Sequence, residues 1–204
     1  GFYNYVFSNN EDSRLEKGNI LVDCGKQVDP EIVKALISEL KSHSDIDYDA
    51  SAVVYNALVE IIKNTNHHAS KKKGEESWWI LLHKHAESKK TSIVIHDNGI
   101  GILHGDAVWR YKQWLIKHLL SRPTPSTLIR DLIKGKLKST YPTKENENRG
   151  AGIPWIADEV AKNPFVESLI LISYSVYVNL KTHQIIELKN PFKGTLYYIG
   201  VESK

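Results

Sequence analysis

Residues 95 to 102 read Ile-His-Asp-Asn-Gly-Ile-Gly-Ile, at the end of a β-favouring run that begins at Thr91. A chain that passes from such a run into Asp97, Gly99 and Gly101 must end its strand there, in a loop free to bend sharply. A carboxylate at that strand end accepts hydrogen bonds, and the glycines let the backbone approach whatever lies against it. Asp-Asn-Gly is also an ordinary turn sequence. Its meaning therefore depends on the rest of the chain.

The surrounding pattern predicts a series of elements. Asn19 to Cys24 reads as a strand. Asp29-Pro30 opens a helix to about Lys41, with Asp as N-cap and Pro at the first helical position. Ile32, Leu36, Ile37 and Leu40 give it an apolar stripe. A second helix runs from about Ala50 to His68. Its buried side is Val54, Leu58, Ile61, Ile62 and Thr65, while Asn56, Glu60, Asn64 and His67 or His68 share another side. Trp78 to His85 and Thr91 to His96 read as an antiparallel hairpin, with one of Trp78 and Trp79 in the core and the other outward. Trp109 to Leu120 reads as helix, Pro123 and Pro125 break it, and Leu128 to Leu137 is helical again. Pro142 to Arg149 is a polar, flexible run. A helix from about Pro154 to Lys162 follows, then two or three strands over Leu169 to Leu180, Gln184 to Leu188 and Gly194 to Val201. Helices and mostly antiparallel strands in separate runs predict an α+β two-layer sandwich.

Composition limits the class. At 204 residues, 41% hydrophobic and 25% charged, the chain suits one soluble domain with a buried core. No apolar run approaches the ~20 residues of a membrane helix. The single cysteine, Cys24, excludes an internal disulfide, reads as a small core residue and fits a reducing compartment. With no legible secretory signal, the expected location is cytoplasmic, without membrane association. The net charge is +3, but residues 110–149 hold ten Lys or Arg against three Asp or Glu, a local +7. Such a segment attracts phosphates or an acidic partner, or is simply solvated and mobile.

Three further segments carry candidate chemistry. Glu60 and Asn64 stand one helical turn apart. Asn64 offers a neutral oxygen of the kind magnesium accepts, and Glu60 can orient and deprotonate a water. An exposed helix face also carries Glu and Asn. Arg149-Gly150-Ala151-Gly152 precedes a helix, where backbone N–H groups and the helix N-terminus favour phosphate, although a plain turn has the same form. Lys193-Gly194-Thr195 starts a strand; its hydroxyl can bond a base or a water, or Thr195 is there for its β propensity. His67-His68 and His83-x-His85 lack a third ligand at metal spacing. Trp109 and Trp114 on a basic helix can stack on nucleic acid bases or pack within their own segment, and the second use is expected.

The order of these segments resembles the GHKL superfamily of gyrase B subunits, ninety-kilodalton heat-shock chaperones, sensor histidine kinases and MutL proteins. Glu-x-x-x-Asn on a helix, Asp-x-Gly-x-Gly after a strand, Gly-x-Gly before a helix and Gly-Thr on a late strand follow in sequence from about Asn19 to Val201. The resemblance implies a single domain over 1–204 with a Bergerat-type ATP-binding fold: a mixed, mostly antiparallel sheet with helices on one face. Residues 1–18 would be an N-terminal extension and 103–149 an ATP lid. Ile153-Pro154 departs from the family pattern after the second glycine.

The cofactors implied are ATP and Mg²⁺. The nucleotide-binding set implied is Asn64, Asp97, Gly99, Gly101, Ile102, Arg149, Gly150, Ala151, Gly152 and Thr195. Asp97 would accept the adenine amino hydrogen bond, with Thr195 beside it through water. Asn64 would hold the magnesium, and Glu60 would be the general base of hydrolysis. The expected function is an ATPase acting as a nucleotide-driven switch with a protein partner or additional domain, homodimerisation included. The alternatives are a serine/threonine kinase resembling anti-sigma factors, or a non-hydrolysing sensor whose basic 110–149 segment docks nucleic acid or protein.

Overall fold

The strand that leads into Asp97 lies inside an antiparallel sheet. In a computed structural model, β1 is Leu15–Lys17, β2 Ile20–Gly25, β3 Trp78–Lys84, β4 Lys90–Asp97, β5 Val166–Asn179 and β6 Gln184–Glu202. The structure describes residues 15–17, 20–25, 30–43, 46, 48–68, 78–104, 106–119, 122–136, 152–160 and 162–202. The strand order is β1-β2-β3-β4-β6-β5. Every neighbouring pair among the described residues is antiparallel, so the expected mixture is corrected. The reason is topological. After β4 the chain travels to the edge for β5, and a tight hairpin returns it as β6 beside β4, with no parallel crossover. β1 falls within the residues assigned to the N-terminal extension.

Alternation sets the two faces. Trp78, Ile80 and Leu82 of β3 are buried, as are Ile93 and Ile95 of β4, Leu169 and Leu171 of β5, and Tyr197, Ile199 and Val201 of β6. The other row, including Trp79, Leu81, Val94 and Tyr198, is half-buried. Trp78 and Trp79 therefore divide as the sequence predicts. Cys24 pairs in register with Trp79 and is half-buried, not a core residue.

Helix α1 is Pro30–His43 and α2 is Tyr48–His68. Val33, Leu36, Ile37 and Leu40 of α1 and Val54, Leu58, Ile61 and Ile62 of α2 join the inward rows of the sheet in one core. The N-cap expected at Asp29 and the side chain of Thr65 lie outside the described residues. α3 is Asp106–Leu119, and α4 is Pro125–Ile133. The break expected at the two prolines is there, and Pro125 also starts α4. Thr124 caps the helix in an extended conformation, its side chain accepting from the Thr127 N–H at 3.2 Å. Proline suits that first turn because its missing N–H would have no partner there anyway. α4 ends at Ile133, where Lys134 caps it and Gly135 takes a φ of +69°; Leu137 lies outside the described residues, as do Pro142 to Arg149.

The last helix and strands lie close to their expected bounds. α5 is Gly152–Trp155, followed by a π-turn at Ile156–Val160. It begins two residues before Pro154, which sits in its first turn, and Lys162 is helical, as expected. β6 is one strand of 19 residues, although Pro191 and Gly194 interrupt its sequence. Pairing with β4 begins only at Thr195, so Pro191 lies on an open edge on that side, and on the other it falls between Glu187 and Phe192, in a break of the β5 register. A missing donor is tolerated at such an edge. β5 bends at Tyr174, where φ is +54° and the register shifts on both sides. The Leu180 N–H consequently reaches back to the Leu169 carbonyl at 2.8 Å. The outer hairpin, with Val176, Val178 and Leu180 buried, folds over onto the core beside α4.

Candidate functional site

One row crosses four strands at a single level: Trp78 on β3, Asp97 on β4, Thr195 on β6 and Ser173 on β5. All four are buried, so three polar side chains end the inward face where its apolar part stops. Asp97 is only 6% exposed. Its Oδ1 accepts from the backbone N–H of Gly99 at 2.8 Å and of Thr195 at 3.2 Å. Burial pushes the Asp97 carboxyl above its usual range; the Gly99 N–H, the neighbouring His96 and the Thr195 bonds pull the other way.

Ser173 ties the loop after β4 to this row. Its Oγ accepts from the Ile102 N–H at 2.9 Å and lies 3.4 Å from Thr195 Oγ1. It also donates to the Gly194 carbonyl at 3.5 Å. Gly101 (φ +79°) packs so closely that a Cβ would come within 2.9 Å of Ser173 Oγ. Gly194 (φ +85°) leaves no room at all, since a Cβ there would overlap the Asp97 carbonyl. Behind the row, the Tyr197 hydroxyl is buried without a hydrogen-bond partner among the described residues. Burial, and secondarily Asp97, pushes its phenol upward.

The second group lies between α2 and α5. A Cβ on Gly152 would stand 3.2 Å from Glu60 Oε2 and 3.6 Å from Asn64 Nδ2. Glycine at the start of α5 therefore lets that backbone touch the Glu60–Asn64 face. Glu60 Oε1 takes the Lys63 ammonium at 2.9 Å, which leaves Oε2 as the oxygen facing Gly152. Asn64 Nδ2 is buried with no hydrogen-bond partner among the described residues. The two ends of an amide are interchangeable in assignment, so Oδ1 can occupy that place after a flip. Arg149, Gly150 and Ala151 lie outside the described residues.

The candidate residues thus assemble as two contact groups. Asp97, Gly99 and Thr195, with Gly101 and Ile102 joined through Ser173, form one on the sheet. Glu60, Asn64 and Gly152 form the other. The sequence reading passed over Ser173 and Tyr197. Both are in phase with a buried row, Ser173 with Leu169 and Leu171, Tyr197 with Ile199 and Val201.

No cluster of three His, Cys, Asp or Glu suited to a metal exists among the described residues. A magnesium ion bound with a nucleotide needs none, because phosphate and water supply most of its oxygens. The Asn64 amide beside Gly152, turned so that Oδ1 faces it, suits a single protein ligand of that kind. The His83 and His85 rings lie 4.5 Å apart, with His85 bonded to Ser92 Oγ at 2.9 Å. The side chains of His67 and His68 lie outside the described residues.

In the 103–149 segment, α3 and α4 bury Val108, Leu115, Leu128, Ile129 and Leu132. Trp114 stacks between Tyr111 and His118. Trp109 is 60% exposed, so packing within the segment is not its use. Val108 faces the core, and the next residue on a helix points well away from it. Comparison with family models and with curated proteins returns no match for this chain.

Proposed function

We propose that the chain is an ATP-binding, Mg²⁺-dependent ATPase module of the GHKL type, with its sheet and helices arranged as a Bergerat sandwich. The observation that carries this reading is the contact of Gly152 with Glu60 and Asn64. These residues are far apart in sequence, and only the resemblance requires them to meet. The Asp97–Thr195–Ser173 row supplies the second support.

Asp97 in this reading holds the adenine. An ionised carboxylate is acceptor-only, so it pairs with an exocyclic amine and meets the guanine carbonyl oxygen with repulsion. Thr195 and Ser173 hydroxyls complete the polar edge. Gly152 and the glycines before it present N–H groups to the phosphates. Asn64 holds the magnesium, which when bound neutralises charge on the phosphates. Glu60 orients the attacking water and takes its proton. Lys63, on the other carboxylate oxygen, fixes the orientation of that side chain. Closing of the 103–149 segment over the nucleotide changes the surface offered to a protein partner or further domain.

Phosphate release and ATP affinity of the purified chain test the assignment. Glu60→Ala is expected to bind ATP and release no phosphate. Asp97→Asn turns the acceptor opposite the adenine amine into a donor, and its affinity is expected to fall at least about tenfold. Unchanged ATP affinity in Asp97→Asn would sink the proposal.

A further inference from the structure

A cleft of about 570 Å³ opens between α4, the π-turn after α5 and the turn joining β5 to β6. No member of the two groups described above lines it. α4 contributes Arg130, Ile133 and Lys134, which share a face at i, i+3 and i+4 while Leu128, Ile129 and Leu132 face the core. The other walls bring Lys162, Lys181 and His183. Among the described residues Asp158 is the single carboxylate lining the cleft, against four Lys or Arg.

These cations are not equivalent. Lys162 is paired with Asp158 at 2.7 Å. Lys181 is pinned, its ammonium donating to the carbonyls of Asn163 and Val166. Arg130 and Lys134 are exposed and have no ion-pair partner among the described residues. His183 stands opposite on the β5–β6 turn, held in a left-handed conformation at φ +59°. Between them the cleft is apolar, lined by Ile133, Pro154 and Ile185.

We propose that this cleft is a second ligand site, which binds a small phosphate monoester carrying an apolar body. The positive excess matches a dianion better than a single carboxylate. The Arg130 fork and the Lys134 ammonium take the phosphate, with His183 as a third donor, and the body lies on Ile133, Pro154 and Ile185. The volume is that of a small-molecule site, within the range of roughly 300–1,000 Å³. Walls on three sides suit one compact ligand rather than a strand of nucleic acid passing through.

Titration of the whole chain with phenyl phosphate, followed by calorimetry, tests this without any adenine present. Saturable one-site binding is expected, tighter than that of inorganic phosphate, which lacks the apolar body. Arg130→Ala with Lys134→Ala is expected to weaken it about tenfold or more, and Arg130→Lys less, since the charge stays and the fork is lost. Both positions are exposed, so these variants keep the fold, and an unchanged melting temperature verifies it. In a second titration, phenyl phosphate is expected to bind with unchanged affinity when Mg²⁺ and ATP are present at saturation, which separates this site from the proposed nucleotide site. Absence of saturation at millimolar ligand overturns the proposal. So does equal binding by the double variant, equal affinity for inorganic phosphate, or preference for a single-stranded oligonucleotide over phenyl phosphate.

Discussion

Asp97 stands where a carboxylate is costly. Its folded-state pKa lies above the ordinary 3.8, with desolvation as the leading cause. The folded state therefore holds that proton more tightly than the unfolded chain. Below 3.8 both are protonated and there is no penalty; stability is lost as pH rises through the raised folded value and stays lower at neutrality. Asn in its place remains neutral, and its Oδ1 can still accept from Gly99 and Thr195. Asp97→Asn is expected to be more resistant to urea than the parent at pH 7, the gap closing as the pH approaches 4. A pH-independent gap, or a weaker variant at pH 7, contradicts this. Gly194 and Gly135 provide a second comparison at the same scale. Both have positive φ, which costs an added Cβ roughly 1–2 kcal/mol. At Gly135 a Cβ would only touch Pro154 at 3.9 Å, whereas at Gly194 it would overlap the Asp97 carbonyl. Gly135→Ala should lose little beyond the conformational term. Gly194→Ala adds a forced backbone shift of about 1–3 kcal/mol. Denaturant midpoints for the two variants distinguish them, and equal losses would contradict the steric account.

Among the elements, α4 depends on its cap more than its apolar stripe suggests. It has nine residues, too few to be stable alone, and Thr124 satisfies one of its unpaired N–H groups. Thr124→Ala is expected to cost about 1 kcal/mol, read as a lower denaturant midpoint; Thr124→Ser should restore most of it. This cap also marks where sequence reading stops. α1, α2 and the β3–β4 hairpin were legible because their periods are long and unbroken. Pro125 was not, because proline both ends helices and starts them, and the Thr124 side chain decides between the two. Whether Gln184 to Leu188 and Gly194 to Val201 join into one strand was left open, because passage through the residues between them, Pro191 included, is a fact of register rather than of composition. The site divides in the same way. Glu60 with Asn64, and Asp97 with its glycines, could be found locally. The part played by Ser173 appears only once β5 is in register with β6, and α5 begins at Gly152 in a fold whose Pro154 suggested a later start.

At the scale of the whole molecule, the two groups hang on one core. α2 carries Glu60 and Asn64 on one side and buries Ile61 and Ile62 on the other, in the same cluster as Ile93 and Ile95, which precede Asp97 on β4. A ligand that bridges α2, the sheet end and α5 must therefore stabilise the entire fold, not a loop of it. Binding to the native state alone contributes roughly 2.7 kcal/mol when the ligand is at a hundred times its Kd. In a domain of this size that corresponds to a rise in Tm of about 5–10 °C. Thermal melts with Mg²⁺ and saturating ATP are expected to show such a rise, smaller when magnesium is withheld. GTP at the same concentration should produce almost none, because its carbonyl oxygen would face the Asp97 carboxylate. Asp97→Asn is the decisive comparison. Its own melting temperature should hold or rise, by the desolvation argument, while the shift with ATP disappears. A variant that melts normally and still shifts with ATP places the nucleotide elsewhere, and equal shifts with ATP and GTP remove the adenine from the account.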